Sequence, residues 1–541
     1  MSDSIIPVIP APVRFDRGPG QFTLRPGTRV AYHASEVAPI AGRFCAEAAR
    51  RTGLRLTPAN GDREPDEPAV RIELGAGNEL AALPVPRGIS PAGDGPADER
   101  YSLSIEGDRV MLRAAGPAGA ARGLATFGQI LAARPSPGGG EVRMPCGRIL
   151  DAPGYAWRGL SLDVARTFFP LAEVRRVIDL LALYKLNVLH LHLTDDQGWR
   201  LPMERPAGRP EPGAAGYSSE DLRALVAYAA DRFVTIVPEV DTPGHASALL
   251  RLHPELSTGR NEVEWEMPPG VKRRAVWLDP DLPATFEVMQ EVLAGVAAIF
   301  PSRYIHIGGD EPRGMPHDLY ASYLSRVRDL VRSMGRRPLG WQESVRAGLR
   351  SDDIIQYWLA GIVVAAAAPA RVRAQIDAEL ADSRRDVEAA VAASVPVIVS
   401  PARHCYLDVP YAEPSADPAQ ADRQARVGLR LYEPMTIAES FDWEPAEALG
   451  PGRGAHVAGV EAAIWAETIS GFDDLSFLLL PRLPGIAHKA WAGPLNPQGP
   501  RCLPGPRNVT WADHRDRLAG HGRLWEQDDL VYFRDPTVNW L

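Results

Sequence analysis

The sequence predicts an α/β protein in which a (β/α)8 barrel is preceded by a smaller α+β domain. From Trp157 onward, short apolar runs alternate with helical stretches, as βα units around a parallel sheet do. Eight such runs fall within roughly 330 residues, and several end in polar or aromatic side chains that a barrel would gather on one face. Length points the same way, because 541 residues exceed a single domain and leave room for a second unit.

Residues 1–150 read as the α+β domain. Tyr101–Ile105 and Arg109–Arg113 alternate in period two around Glu106-Gly107-Asp108, a hairpin signature. Helices are expected over Glu36–Arg51 and Gly119–Ala132, and Arg134–Gly140 has the composition of a boundary loop. Residues 151–500 read as the barrel. Its strands are expected at Gly159–Asp163, Val188–Leu193, Thr235–Glu239, Tyr304–Gly308, Pro338–Trp341, Ile354–Trp358, Val397–Ser400 and Val457–Ile464. An Ala-rich, charged stretch over 362–395 reads as a solvated or packing helix inserted before the seventh strand. Residues 501–541 read as a C-terminal helix and an extended tail packing on the barrel.

Bulk properties exclude some partners. A formal charge of −9 with no dense Lys/Arg block argues against nucleic acid or an anionic membrane, and a neutral or cationic substrate fits better. Cys45, Cys146, Cys405 and Cys502 are scattered without a CxxC pair, so neither a zinc site nor a disulfide framework is expected. They read as free thiols, with Cys405 partly accessible inside a suspected active-site segment. Met1–Pro7 lacks the basic and long apolar regions of a secretory signal, so the cytoplasm is the expected compartment unless a signal was removed. Asn508-Val-Thr510 matches a glycosylation acceptor and is read as chance. Oligomeric state is not legible.

The run His306-Ile-Gly-Gly-Asp-Glu-Pro312 carries the chemistry. Neighbouring side chains of a strand point to opposite faces, so Asp310 and Glu311 address one pocket only if the chain turns. Gly308 and Gly309 allow that turn. Adjacent acids also titrate differently, which lets one donate a proton while the other stays anionic, the division of labour that glycosidic bond cleavage needs.

Several separated motifs then resemble family 20 glycoside hydrolases, the β-N-acetylhexosaminidases. They are Arg158-Gly-Leu-Ser-Leu-Asp163 with Arg166, Tyr184–Asn187, His190–Asp196, Pro238–His245 and His306–Glu311, followed by Gly340-Trp341, Gln356–Trp358, Tyr406-Leu-Asp408 and Trp465-Ala-Glu467. The resemblance implies a retaining, exo-acting enzyme that removes terminal N-acetylglucosamine or N-acetylgalactosamine without metal or cofactor. In that family the substrate's own 2-acetamido group is the nucleophile. It implies that Glu311 is the general acid/base, that Asp310 orients the acetamide N–H and stabilises an oxazolinium intermediate, and that Tyr406 hydrogen-bonds the acetamide oxygen. By the same resemblance Trp341, Trp358 and Trp465 wall the pocket, while Arg166, Glu467 and Asp408 hold sugar hydroxyls. Asp195 and His245, with Glu239, would form a polar network beneath the acids.

Rival readings are weighed against this. Gly308–Glu311 is similar to the central motif of diguanylate cyclases, but Pro312 stands where an aromatic is expected and the eight-strand context does not suit. His190 and His192, two apart on one strand, suggest a metal-dependent amidohydrolase-type barrel, for which only His245 and His306 offer further histidine ligands. A catalytically silent sugar-binding relative is the third. One of Asp195 and Asp196 is expected merely to cap the turn after the second strand.

Overall fold

The computed structural model describes residues 6–61, 69–75, 77–93, 95, 97–134, 140–202, 215–266, 272–366, 368–493 and 509–541. Cys502, Asn508, the centre of the Arg134–Gly140 loop and the boundary at 500/501 lie outside them.

The N-terminal unit is a seven-stranded sheet running Arg14–Leu24, Val142–Asp151, Tyr101–Ile105, Arg109–Ala114, Ala69–Leu74, Arg29–Tyr32 and Thr57–Asn60 across its width. The expected hairpin forms, with Tyr101 opposite Ala114 and Ile105 opposite Val110. Helices Ala38–Thr52 and Pro117–Ala132 pack together on the sheet through Phe44 and Phe127, whose rings stack at 5.4 Å. Buried charge ties the sheet to the barrel. Glu99 accepts from Arg122 and Arg158 at 2.7 Å, and Lys185 donates to Asp151 at 2.8 Å. Removing one partner of such a pair strands the other charge and costs about 3–5 kcal/mol.

Eight parallel strands close the barrel in chain order: Trp157–Asp163, Val188–His192, Thr235–Thr242, Tyr304–Gly308, Arg337–Trp341, Ile354–Tyr357, Val397–Val399 and Val457–Ile464. The last pairs with the first, Glu461 beside Gly159. The strand starts fill the floor with an apolar layer that includes Trp157, Val188, Val237, Tyr304, Leu339 and Ile354. Above it the interior turns polar. Glu461 accepts from Trp157 Nε1 at 2.7 Å and Gln356 Nε2 at 2.9 Å, and faces His190 Nδ1 at 2.9 Å. A Cβ on Gly159 would lie 2.3 Å from Glu461 Oε2, so glycine makes room for that carboxylate.

Several expectations change. The third strand runs on to Thr242, which brings Asp241 into the barrel mouth. The Ala-rich stretch is not an insertion: helix Ala370–Ala392 is the barrel's own connection between its sixth and seventh strands. It packs through Ser383, which donates to Leu359 O at 2.7 Å, and Asp386, which pairs with Arg346 at 2.7 Å. Cys405 is fully buried, not partly accessible, because its short helix Ala402–Cys405 turns it inward. The C-terminal segment holds two helices, Trp511–Leu518 and His521–Gln527, before the tail. The tail does pack on the barrel, with Phe533 stacked 3.9 Å from Tyr411.

Candidate active site

At the C-terminal mouth of the barrel, Gly308 and Gly309 take φ of +68° and +101°, and the turn extends into Glu311 at +42°. Only such left-handed backbone swings both acids inward. A Cβ on Gly308 would sit 1.7 Å from Asp241 Oδ1. Asp310 Oδ2 and Glu311 Oε2 then approach the same atom, His245 Nε2, at 3.7 and 3.9 Å. The two carboxylates therefore share one pocket.

The remaining predicted residues join them. His245 Nδ1 lies 3.3 Å from Asp195, whose other oxygen pairs with Arg166 at 2.8 Å. Arg166 also reaches Asp163 at 3.0 Å and Glu467 at 3.4 Å, and lies 5.3 Å from the Trp465 ring. Trp465 is 5.9 Å from Trp341 and 5.8 Å from Tyr406, which stacks on Trp358 at 5.9 Å. Trp341 Nε1 donates to Glu239 at 2.9 Å, and Trp358 Nε1 to Glu343 at 3.2 Å, so buried carboxylates fix both indoles. Asp408 is buried, and neither of its carboxylate oxygens makes a well-formed hydrogen bond among the described residues. Asp196 takes the capping part instead, accepting from Ser247 N at 3.0 Å and from its hydroxyl at 2.6 Å.

Electrostatics divide the acids. Burial, reinforced by Glu311, pushes Asp310 up to about 6, although His245 opposes. Burial also acts on Glu311, but Arg313, His245 and then Arg166 outweigh it and hold that carboxyl below its ordinary value. Burial disfavours the His245 cation, yet Asp195 and Asp241 keep the ring protonated well above the usual histidine range. Burial lifts the Tyr406 phenol far above its usual range, so it remains a donor at neutral pH. Burial and then Glu467 raise Asp408.

His190, Glu239 and His306 present donors within 4.8 Å of one another, as do Asp241, His245 and Asp310. Glu239 is crowded by rings, although Nε2 of His190, His245 and His306 makes no hydrogen bond among the described residues. His192 Nδ1 lies 2.6 Å from Glu239, and His190 Nε2 and His306 Nδ1 lie 3.1 and 2.9 Å from it. At these distances the three rings contact Glu239 directly.

From the sequence Asp241 is expected only as one of the polar strand ends at the barrel face, and Glu343, Arg313 and Tyr432 are given no role. Glu343 follows Trp341 by two residues at a strand end, a signal that was present. Tyr432 arrives from a loop, 6.3 Å from Tyr406, and nothing in its neighbours announces it.

The profile of the glycosyl hydrolase family 20 catalytic domain matches residues 155–316 and 313–494, and that of the family's domain 2 matches 6–152. A β-N-acetylhexosaminidase of Cellulomonas fimi is 34% identical over 459 residues, covering 83% of this chain and 82% of the relative. A family 20 β-N-acetylhexosaminidase structure from Streptomyces coelicolor superposes with TM-score 0.77 at 30% identity, covering 99% of both chains. A mutant β-hexosaminidase of Streptomyces plicatus, solved with its product GlcNAc, superposes with TM-score 0.77 at 30% identity over 99% of this chain and 98% of its own.

Proposed function

The chain belongs to glycosyl hydrolase family 20 and is an exo-β-N-acetylhexosaminidase; on that footing we propose that the sugar's own 2-acetamido oxygen attacks the anomeric carbon. The convergence of Asp310 and Glu311 on His245, beneath a wall of Trp341, Trp358, Trp465 and Tyr406, is the observation that supports this reading.

In it, Glu311 protonates the leaving oxygen and later takes a proton from water. Asp310 accepts the acetamide N–H, which favours its anion, and stabilises the oxazolinium charge. Tyr406 donates to the acetamide oxygen. A weak nucleophile held in line gains effective concentration, and the dry aromatic wall keeps water from competing. Arg166, Glu467 and Asp408 take the 3-, 4- and 6-hydroxyls of the terminal sugar, closing the pocket behind one residue. Asp195 and His245 orient the acids from below. The same reading divides the chain into 1–150, 151–500 and 501–541; the matched family regions, 6–152 and 155–494, support the first boundary to within a few residues.

Glu311→Gln keeps shape and removes the transferable proton. Turnover of N,N′-diacetylchitobiose is expected to fall by about 10²–10⁴-fold with GlcNAc binding retained by calorimetry. Undiminished turnover would remove Glu311 from the acid role.

A further inference from the structure

The turn that presents Glu311 also folds the next charged residue back onto it. Arg313 N donates to Glu311 O at 2.6 Å across Pro312, whose ring fixes φ and closes the turn. Arg313 Nη2 thereby reaches Glu311 Oε1 at 2.7 Å, and its Nη1 lies 3.6 Å from Glu379 on helix Ala370–Ala392. The guanidinium is thus shared between the acid and a carboxylate that belongs to a crossover helix. This contact is at odds with the chemistry. A general acid must carry its proton, and a cation at hydrogen-bonding distance favours the anion.

We propose that Arg313 is a charge clamp on the acid, and that Glu379, by neutralising part of that charge from the crossover helix, sets the pH up to which Glu311 holds its proton. This rests on Glu311 being the acid. Other charges reach Glu311 as well. From its own turn comes Asp310; from the loop after the third strand comes His245, 3.9 Å away; from the loop after the first comes Arg166. Glu311 in turn disfavours ionisation of Tyr432, on the loop after the seventh strand. His317, Glu343, Arg346 and Asp382 line a cavity of about 310 Å³ together with Glu311, Arg313 and Glu379. Among the described residues Arg313 hydrogen-bonds the Glu311 carboxylate, and Glu379 forms an ion pair with the same guanidinium. Both Glu311 and Glu379 are about one-third exposed, so solvent weakens the coupling without removing it.

The test is the pH dependence of kcat on saturating N,N′-diacetylchitobiose, a substrate with a poor leaving group whose cleavage requires the acid. The descending limb of that profile reports the acid in the bound complex. Arg313→Gln is expected to move the limb up by about one pH unit. Glu379→Gln leaves the clamp less neutralised and is expected to move it down by a smaller step. Arg313→Lys restores the charge and returns the limb toward the parent. A merely structural role would lower kcat without moving the limb in opposite directions. An unmoved limb in Arg313→Gln, or shifts of the same sign in both variants, overturns the proposal. If Arg313→Gln does not fold, as judged by circular dichroism, Glu379→Gln decides alone: a lowered limb supports the clamp and an unmoved or raised one refutes it. Loss of activity in Glu311→Gln with no limb shift in the clamp variants sinks only the clamp, whereas full activity in Glu311→Gln sinks the acid assignment and the clamp together.

Discussion

Tyr406 shows how much one buried hydroxyl can carry. It follows the short helix after the seventh strand, is 2% exposed, and is held by the stacked Trp358 ring. Because burial keeps the phenol protonated, the donor proposed for the acetamide oxygen is in place before the substrate arrives. Tyr406→Phe preserves the stacking and deletes that donor. Steady-state kinetics on a nitrophenyl N-acetylglucosaminide are expected to show kcat lower by about 10²-fold with a smaller change in KM; an unchanged kcat would remove the hydroxyl from the reaction. At this scale the sequence was informative wherever a polar or aromatic residue directly followed an apolar run, as with Asp310, Trp341 and Trp465. It was silent for Arg313, whose importance comes from a turn that folds it back on Glu311, and for Tyr432, delivered by a loop with no periodicity. His245 Nε2 is the atom that both acids approach.

Among the elements, the fourth strand and its glycine turn position the reaction. Gly308 leaves room for Asp241 at the end of the third strand and adopts a backbone angle that a side chain resists. Gly308→Ala therefore meets both a steric conflict and about 1–3 kcal/mol of backbone strain. Its melting temperature is expected to fall and its kcat to drop by about 10²-fold, since small misplacements of reacting groups cost that much; parent-like activity would contradict the placement of the turn. The strands were legible because a parallel barrel buries both faces of its strands, which leaves continuous apolar runs. The role of helix Ala370–Ala392 was not. Alanine and charge predict a helix anywhere, while the contacts of Ser383, Asp386 and Glu379 that seat it on the barrel mouth are long-range and leave no local pattern. The break between the two C-terminal helices, near Gly520, was missed for the same reason.

For the whole molecule, the polar groups that the fold buries away from the pocket make stability depend on pH. His488 and His521, in the C-terminal packing, are pushed down by burial to about 3, and His514 falls well below its ordinary value with both ring nitrogens unpartnered. Their folded pKa values lie below the unfolded value of about 6.5, so their contribution is complete above that pH and is lost as pH falls through it toward 3. For His488 and His521 the loss reaches on the order of 2 kcal/mol each by pH 5, and the melting temperature measured by calorimetry is expected to decline steeply below pH 6. His514→Phe, which keeps the stacking on Phe441, is expected to flatten that decline; an unaltered slope would show that this ring does not stay neutral. The two-part organisation was visible in the change of texture near Trp157. The charges that join the parts, Glu99 with Arg158 and Asp151 with Lys185, were not, because each pair unites residues from different units.

The proposed chemistry turns on the sugar supplying its own nucleophile. Rates on 4-nitrophenyl β-N-acetylglucosaminide and 4-nitrophenyl β-glucoside, which differ only at the 2-acetamido group, test it directly. A loss of at least about 10³-fold in kcat/KM on the glucoside is predicted, because the attacking amide and its contacts with Asp310 and Tyr406 disappear together; comparable rates on the two substrates would contradict it.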